Sequence, residues 1–340
     1  MNEVVRLAHG SGGGLSRHLL QDVFLRYLHD PELLKLNDSA VLPLPREMCE
    51  GGRLAFTTDA YVVSPLEFPG GDIAKLAVYG TVNDLASVGA RPLWLSVAWV
   101  LEEGLPLATL ERLAASMASA AERAGVRIVT GDTKVVPHGL ADGAYCTSAG
   151  VGIVPPGREV GPSEVREGDA ILVNGTLGDH GMAVMMRRQG IELESDLSSD
   201  CAPLSDLVEA LLQVGIRLHC LRDATRGGAG GVLCEIAQAS GLGIEINEAS
   251  VPVRRQVAAA CEILGLDPLF VANEGKMLAF LPAEEAERAL AIWREAAEGR
   301  EATVIGRVTA RHPRQVVERT VLGGGRIIRM PAGELLPRIC

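Results

Sequence analysis

GGDIAKLAVYGTVNDLASVG (70–89), followed by PLWLSVAWVL (92–101), decides the fold class. The first segment carries Ile73, Leu76, Ala77 and Val78 ahead of the polar pair Asn83–Asp84 and reads as a helix. The second is short and almost wholly apolar, and reads as a buried strand. The alternation continues outward. LATLERLAASMASAAERAG (107–125) is an Ala-rich helix closed by Gly125, and VRIVTGDT (126–133) is a strand running into an aspartate. Upstream, RLAFTT (53–58) is a strand ending at Asp59, and HGSGGG (9–14) opens the amphipathic segment LSRHLLQDVFLRYL. Downstream, AYCTSAGVGIV (144–154) is a further strand. Such alternation indicates an α/β or α+β protein.

Pro155, Pro156, Gly157, Gly161 and Pro162 form a breaker cluster that marks a domain boundary. Beyond it come a strand in DAILVNG (169–175), a helix in SDLVEALLQVG (205–215), and a Gly-rich turn feeding a helix in RDATRGGAGGVLCEIAQASG (222–241). GIEINEASVPV (243–253) reads as a strand, LFVANEGKMLAFLP (269–282) as strand–turn–strand, and AEEAERALAIWREAAEG (283–299) as a charged surface helix. PAGELLPRIC (331–340) has the composition of an extended, mobile tail. The expected division is therefore a first domain over 1–155, a second over 156–330 and a tail over 331–340.

Composition removes several function classes. The 340 residues are 47% hydrophobic and 22% charged, enough to bury a full core. A net charge of −11 and only 4% aromatics leave neither a basic footprint nor stacking platforms, so no nucleic-acid partner is expected. The apolar run LWLSVAWVL (93–101) is far short of the ~20 residues of a membrane span. The first residues lack a signal-peptide core, so a cytoplasmic protein is expected. Seven cysteines without a CxxC pair do not suggest a disulfide framework or a thiolate metal site. No Walker loop, GxGxxG after a strand, HExxH or GxSxG is present.

What remains is a constellation of aspartates beside Asn, Thr or Arg: Asp38, Asp59, Asp84, Asp132 and Asp223. Each alone could cap a helix or start a turn. Together, without His or Cys neighbours, they favour a hard cation such as Mg²⁺ shared with nucleotide phosphates. Two Gly-rich loops, with Gly12 and Gly13 in the first and Gly227 and Gly228 in the second, leave room for backbone to approach phosphate; flexible turns are the alternative. Lys134 could stabilise developing negative charge and Glu274 could be a general base, or both could be surface residues. His180 could be a base or a structural residue. Cys340, the final residue of the sequence, could carry an acyl-type group as a sulfur nucleophile.

HGSGGG, TTDAYVVSP, VNDLASVGARP, TGDTKVV, GDHGMAVM, RDATRGG, NEGK and the closing PRIC resemble the HypE family of hydrogenase maturation proteins almost end to end. That family lies in the PurM-like superfamily of aminoimidazole ribonucleotide synthetase and selenophosphate synthetase. The resemblance implies a two-domain fold whose N-terminal domains pair across a dimeric β-barrel, with ATP and Mg²⁺ between the domains. It implies a carbamoyl group delivered by HypF to Cys340, ATP-dependent dehydration of the resulting thiocarbamate to a thiocyanate, and cyanide transfer to iron on HypC–HypD. By matching motif, Asp38, Asp59, Asp84 and Asp223 become metal candidates. Gly12, Gly13, Asn83, Gly227 and Gly228 join Asp38, Asp59 and Asp84 around the nucleotide. Lys134 becomes the charge stabiliser and Glu274 the proton acceptor. Two other readings stand beside this one: a synthetase or kinase of the same superfamily acting on a diffusible substrate, and a non-catalytic carbamoyl carrier.

Overall fold

Each half of the sequence builds one main sheet. The computed structural model describes residues 4–10, 14–37, 39–190, 196–330, 333, 336 and 338–340, so Gly12, Gly13 and Asp38 lie outside the described residues. The N-terminal half runs through α1 (Gly14–His18), which continues into a π-helical turn (Leu19–Phe24), α2 (Arg46–Cys49), β1 (Arg53–Tyr61), a small hairpin of β2 (Glu67–Phe68) and β3 (Gly71–Asp72), α3 (Ile73–Ser87), β4 (Arg91–Glu102), α4 (Leu107–Arg123), β5 (Arg127–Val136) and β6 (Ala144–Val154). Its four-stranded sheet has the order β1-β6-β4-β5. Only β4 and β5 are parallel, because α4 carries the chain back between them.

The C-terminal half contains β7 (Asp169–Val173), α5 (Asp179–Gln189), α6 (Ser205–Gln213), β8 (Cys220–Asp223), α7 (Gly228–Ser240), β9 (Gly243–Asn247), α8 (Arg255–Leu264), β10 (Met277–Pro282), α9 (Ala286–Glu295), β11 (Thr303–Thr309), β12 (Val316–Arg319) and β13 (Gly325–Ile328). The seven-stranded sheet has the order β13-β12-β9-β11-β7-β10-β8, antiparallel except for β12 against β9. Both sheets are mixed, which makes the protein α+β rather than doubly wound.

The seven-stranded sheet is covered on both sides. Ile171, Val173, Leu278 and Phe280 pack into one apolar cluster, and the intervening Ala170, Leu172, Ala279 and Leu281 pack into another. The four-stranded sheet is covered on one side, where Leu95, Val97 and Trp99 of β4 pack beneath α3 and α4. α3 lies between this sheet and the C-terminal half, which explains why its apolar residues run all round it. Only Lys75 and Asp84 of its 15 residues escape full burial. Asp72 caps its N-terminus, accepting from the amides of Ala74 and Lys75.

Several elements depart from the sequence reading. β1 and β5 run on past Asp59 and Asp132, which therefore sit inside ladders and not beyond strand ends. Residues 269–276 form no strand. Asp267 caps a 3-10 turn at Pro268–Phe270, and the Asn273 side chain donates to the carbonyls of Ala224 and Val271, replacing ladder bonds. The strand beginning at Gly243 stops at Asn247, whose side chain caps the next turn. The segment 283–299 is interrupted by 3-10 turns at both ends and buries Trp293 completely, so only one side of it is surface.

Candidate active site at the seam between the two halves

The carboxylates meet where α3 and β1 face β8 and the 272–276 loop. β1 holds Asp59 opposite Ser148 of β6, on the covered side of the sheet. The buried Tyr61 hydroxyl donates to Asp59 Oδ2 at 2.7 Å. This bond explains Gly80 in α3. A Cβ there would stand 2.1 Å from the Tyr61 hydroxyl oxygen, so any side chain would push Tyr61 away from Asp59.

Asp84 receives the Thr57 hydroxyl at 2.8 Å. Its carboxyl is pushed above the usual range by burial and then by Asp59, against the pull of Thr57 and Arg222. Asp223, at the end of β8, is pushed up to about 7, by burial first and then by Asp84 and Asp59. Among the described residues no three carboxylates, imidazoles or thiols stand close enough to form a ready metal cage. The set is a group of mutually repelling carboxylates with too little positive charge of its own. That chemistry suits a hard cation that brings oxygen ligands from elsewhere.

Glu274 is 3% exposed, and its Oε1 has no hydrogen-bond partner among the described residues. The Cys340 thiol lies within hydrogen-bonding reach of the same carboxyl. Burial, and then Asp200, Asp223 and Asp59, drive Glu274 well above the ordinary carboxylate range. Burial, followed by Glu274, likewise raises the Cys340 thiol, with Arg226 opposing. In the docked position the thiol is protonated. Asp200 supports the loop by accepting from the Glu274 amide at 3.0 Å and pairing with Lys276 Nζ at 3.1 Å.

The end of the tail is seated inward. Ile339 is 2% exposed within the N-terminal core, and Leu336 and Cys340 pack against the same cluster. Asn83 also serves the seam. Its amide donates to the Ala202 carbonyl at 3.1 Å and accepts from Leu204 N–H at 2.8 Å, which ties α3 to the loop before α6.

Two expected site features are placed differently. Lys134 Nζ pairs with Asp132 at 2.9 Å, and both side chains are about two-thirds exposed. By register, Asp132 and Lys134 share the open face with Ala98 and Val100, whereas Asp59 shares the covered face with Val97. A single chain therefore does not bring Lys134 to Cys340. In the RGG turn, a Cβ on Gly228 would fall 2.4 Å from the Leu269 carbonyl oxygen, so close packing of protein backbone accounts for that glycine. Gly227, at φ +80, is the left-handed cap of α7 with open space around it.

Family models match both halves: the N-terminal domain of AIR synthase related proteins over residues 36–154 and the C-terminal domain over 166–318. Over 339 residues the chain is 52% identical to a carbamoyl dehydratase HypE of Rhodobacter capsulatus, covering 100% of this chain and 99% of the relative. The chain belongs to the HypE family. The structure of this HypE-family chain superposes on a crystal structure of hydrogenase maturation protein HypE in complex with ATP with a TM-score of 0.93 at 48% identity, over 98% of this chain and 99% of that one. A HypE from a HypE–HypF complex matches with a TM-score of 0.79 at 42% identity, over 92% of this chain and 99% of that one. Among the described residues of the HypE-family chain, no helix is long and apolar enough to cross a membrane.

Sequence reasoning selected Asp59, Asp84, Asp223, Glu274 and Cys340, and the structure gathers them. It passed over Tyr61, Asp200, Arg226 and Lys276. Tyr61 was legible in principle, since a tyrosine two residues after an aspartate in one strand lies on the same face. Asp200 sits in a loop, SSDCAP, that carries no local signal.

Proposed function

We propose that this chain is an ATP-dependent carbamoyl dehydratase that converts a thiocarbamate on Cys340 into a thiocyanate, the source of cyanide for hydrogenase iron. The observation that carries this reading is the pairing of a buried carboxyl, Glu274, with the thiol of Cys340 beside three further carboxylates. A carrier that only relays a group has no need of such a cluster. A kinase for a diffusible substrate has no need of a seated C-terminal cysteine.

An amide oxygen is a poor leaving group. Transfer of the γ-phosphoryl of ATP to the carboxamide oxygen releases ADP and makes that oxygen depart as phosphate. Two protons leave the carboxamide nitrogen as the C≡N bond forms and the C–O bond breaks. Glu274 is placed to take one of them. Its raised proton affinity makes it a better acceptor than an ordinary carboxylate, provided it is ionised when the nucleotide is bound. Asp59, Asp84 and Asp223, with Asp38, would hold Mg²⁺, which offsets charge on the transferring phosphoryl group. Gly12, Gly13 and Gly227 would face phosphate. Asn83 and Gly228 support the site by holding protein segments in place.

The docked thiol is protonated and half-buried, with Glu274 raising its proton affinity further, and is therefore a poor nucleophile. Carbamoylation by HypF thus belongs to an undocked tail and dehydration to a docked one. Cyanide would then pass to HypC–HypD. The N-terminal sheet carries a further requirement. Phe56 is 68% exposed and Leu54 55% exposed on its open face, beside Val151 and Trp94 in register. A second copy laid on this face would close the sheets into a shared barrel and bury them. The proposed domain limits are 1–155, 156–330 and 331–340, with the dimerising sheet in the first domain and the reactive cysteine on the third segment.

The test is direct. Carbamoylated protein is mixed with Mg·ATP, and the C-terminal peptide is weighed by mass spectrometry. Loss of one water with formation of ADP and phosphate is expected. Glu274→Gln should slow that loss by about 10²–10⁴-fold while ATP binding persists. A carbamoyl mass that survives ATP in the native protein would return the carrier reading.

A further inference from the structure

His180 is completely buried and its ring joins two segments distant in sequence. Nε2 lies 3.0 Å from the carbonyl oxygen of Ile339, and Nδ1 lies 2.8 Å from Ser199 Oγ. A carbonyl only accepts, so Nε2 carries the hydrogen. Burial lowers the proton affinity of the ring, which keeps it neutral and leaves Nδ1 as an acceptor. Ser199 completes the chain, since its hydroxyl donates to Nδ1 and its oxygen accepts from Cys201 N–H at 3.1 Å. Phe68 meets the imidazole edge-to-face at 5.4 Å and 79°, fixing the ring plane.

The adjacent tail carbonyl is also held. Arg338 O accepts from the Arg188 guanidinium and from Ser64 N–H at 3.3 Å, while the Arg338 guanidinium pairs with Asp142. Two successive carbonyls are thus gripped from α5 and from the loop after β1, and the Ile339 side chain between them is buried. Cys340 follows immediately, so the direction in which Ile339 is held sets where the sulfur lies.

We infer that His180 is a positioning residue for the dehydration step: its Nε2–H···O=C bond to Ile339 holds the tail so that the group on Cys340 faces Glu274. His180 transfers no proton to the substrate. The donor is spent on a backbone carbonyl and the acceptor on Ser199. This inference rests on Cys340 being the site of chemistry.

The experiment uses the full chain and three variants. His180→Phe keeps an aromatic ring against Phe68 and removes the bond. His180→Gln offers an amide donor at about the reach of Nε2. Arg188→Met weakens the neighbouring grip. Site-resolved alkylation followed by peptide mass spectrometry reads Cys340 against the buried Cys146 and Cys220 as internal references. In His180→Phe, Cys340 should be alkylated about tenfold faster while Cys146 and Cys220 stay protected. Single-turnover dehydration of the carbamoylated variant should fall by about the same factor, with the ATP concentration dependence unchanged. His180→Gln should recover most of both effects, and Arg188→Met should show them in weaker form.

Native protection and native dehydration in His180→Phe would overturn the inference. So would a parallel rise in the reactivity of all three cysteines in both His180 variants, since that marks an ordinary core residue. Glu274→Gln separates the two claims. If it leaves dehydration intact, the site reading itself fails. If it stops dehydration while His180→Phe has no effect, only the positioning role is lost.

Discussion

β10 in the C-terminal sheet is buried at every residue, whereas β1 in the N-terminal sheet leaves Leu54, Phe56, Thr58 and Ala60 exposed along one face. Among the described residues, helices cover both sides of the first sheet and only one side of the second. The difference teaches how labour is divided. The C-terminal sheet is a finished wall whose strand end presents Asp223. The N-terminal sheet turns its covered side, with Asp59, toward the seam and its bare side, with Lys134, outward. In the proposed reading, one strand face serves the reaction and the other serves association.

The comparison breaks most easily at its strongest point. Phe280 is fully buried in the double-sided sheet, so Phe280→Ala should cost about 3–5 kcal/mol in denaturant unfolding. A cost below about 1 kcal/mol would mean that the sheet is not the closed wall described here.

A second test concerns the seam. The Asp223 carboxyl is pushed up to about 7, by burial and then by Asp84, whereas its unfolded counterpart ionises near ~3.9. Protonated Asp223 is therefore the form that folding favours. Its contribution is complete below the unfolded value and fades as pH rises through the folded one. Nucleotide-free protein should lose on the order of 2–4 kcal/mol between pH ~4 and ~8, and Asp223→Asn should flatten that slope. Chemical denaturation across this range, without Mg²⁺, decides it. An identical slope in the variant would remove Asp223 from the account.

The smallest effect is expected on the open face. Phe56→Ser should change the unfolding free energy of the monomer by no more than about 0.5 kcal/mol. It should nevertheless weaken self-association at least about tenfold in sedimentation equilibrium. A large loss of intrinsic stability would show that Phe56 is already covered within one chain.

The sequence was most legible where one element decides burial. Ile73, Leu76, Ala77 and Val78 mark a helix within 70–89, where α3 forms, and Asp84 proves to be one of its two residues not fully buried. It was least legible where faces and loops decide. Asp132 and Asp59 looked alike as aspartates near strand ends. The ladders place them on opposite sides of one sheet, and only pairing register reveals that. Glu274 also had a surface reading, because nothing in NEGK shows that the loop around it is buried. Asp200, Arg188 and Ser64 reach their partners across long stretches of chain, and no local pattern marks such contacts.

Asn83 has one more consequence. With both ends of its amide bonded to Ala202 and Leu204, and with Ala86 of the same helix packed into the C-terminal core, α3 acts as a rivet through both halves. Prising the halves apart would break buried bonds and open apolar contacts together. Among the described residues, releasing the end of the tail costs the bonds at Arg338, Ile339 and Cys340 and the packing of Leu336, Ile339 and Cys340, a smaller set than the contacts that join the halves. In the proposed cycle only a short strap moves over a rigid bench, so loading and dehydration alternate without parting the two halves.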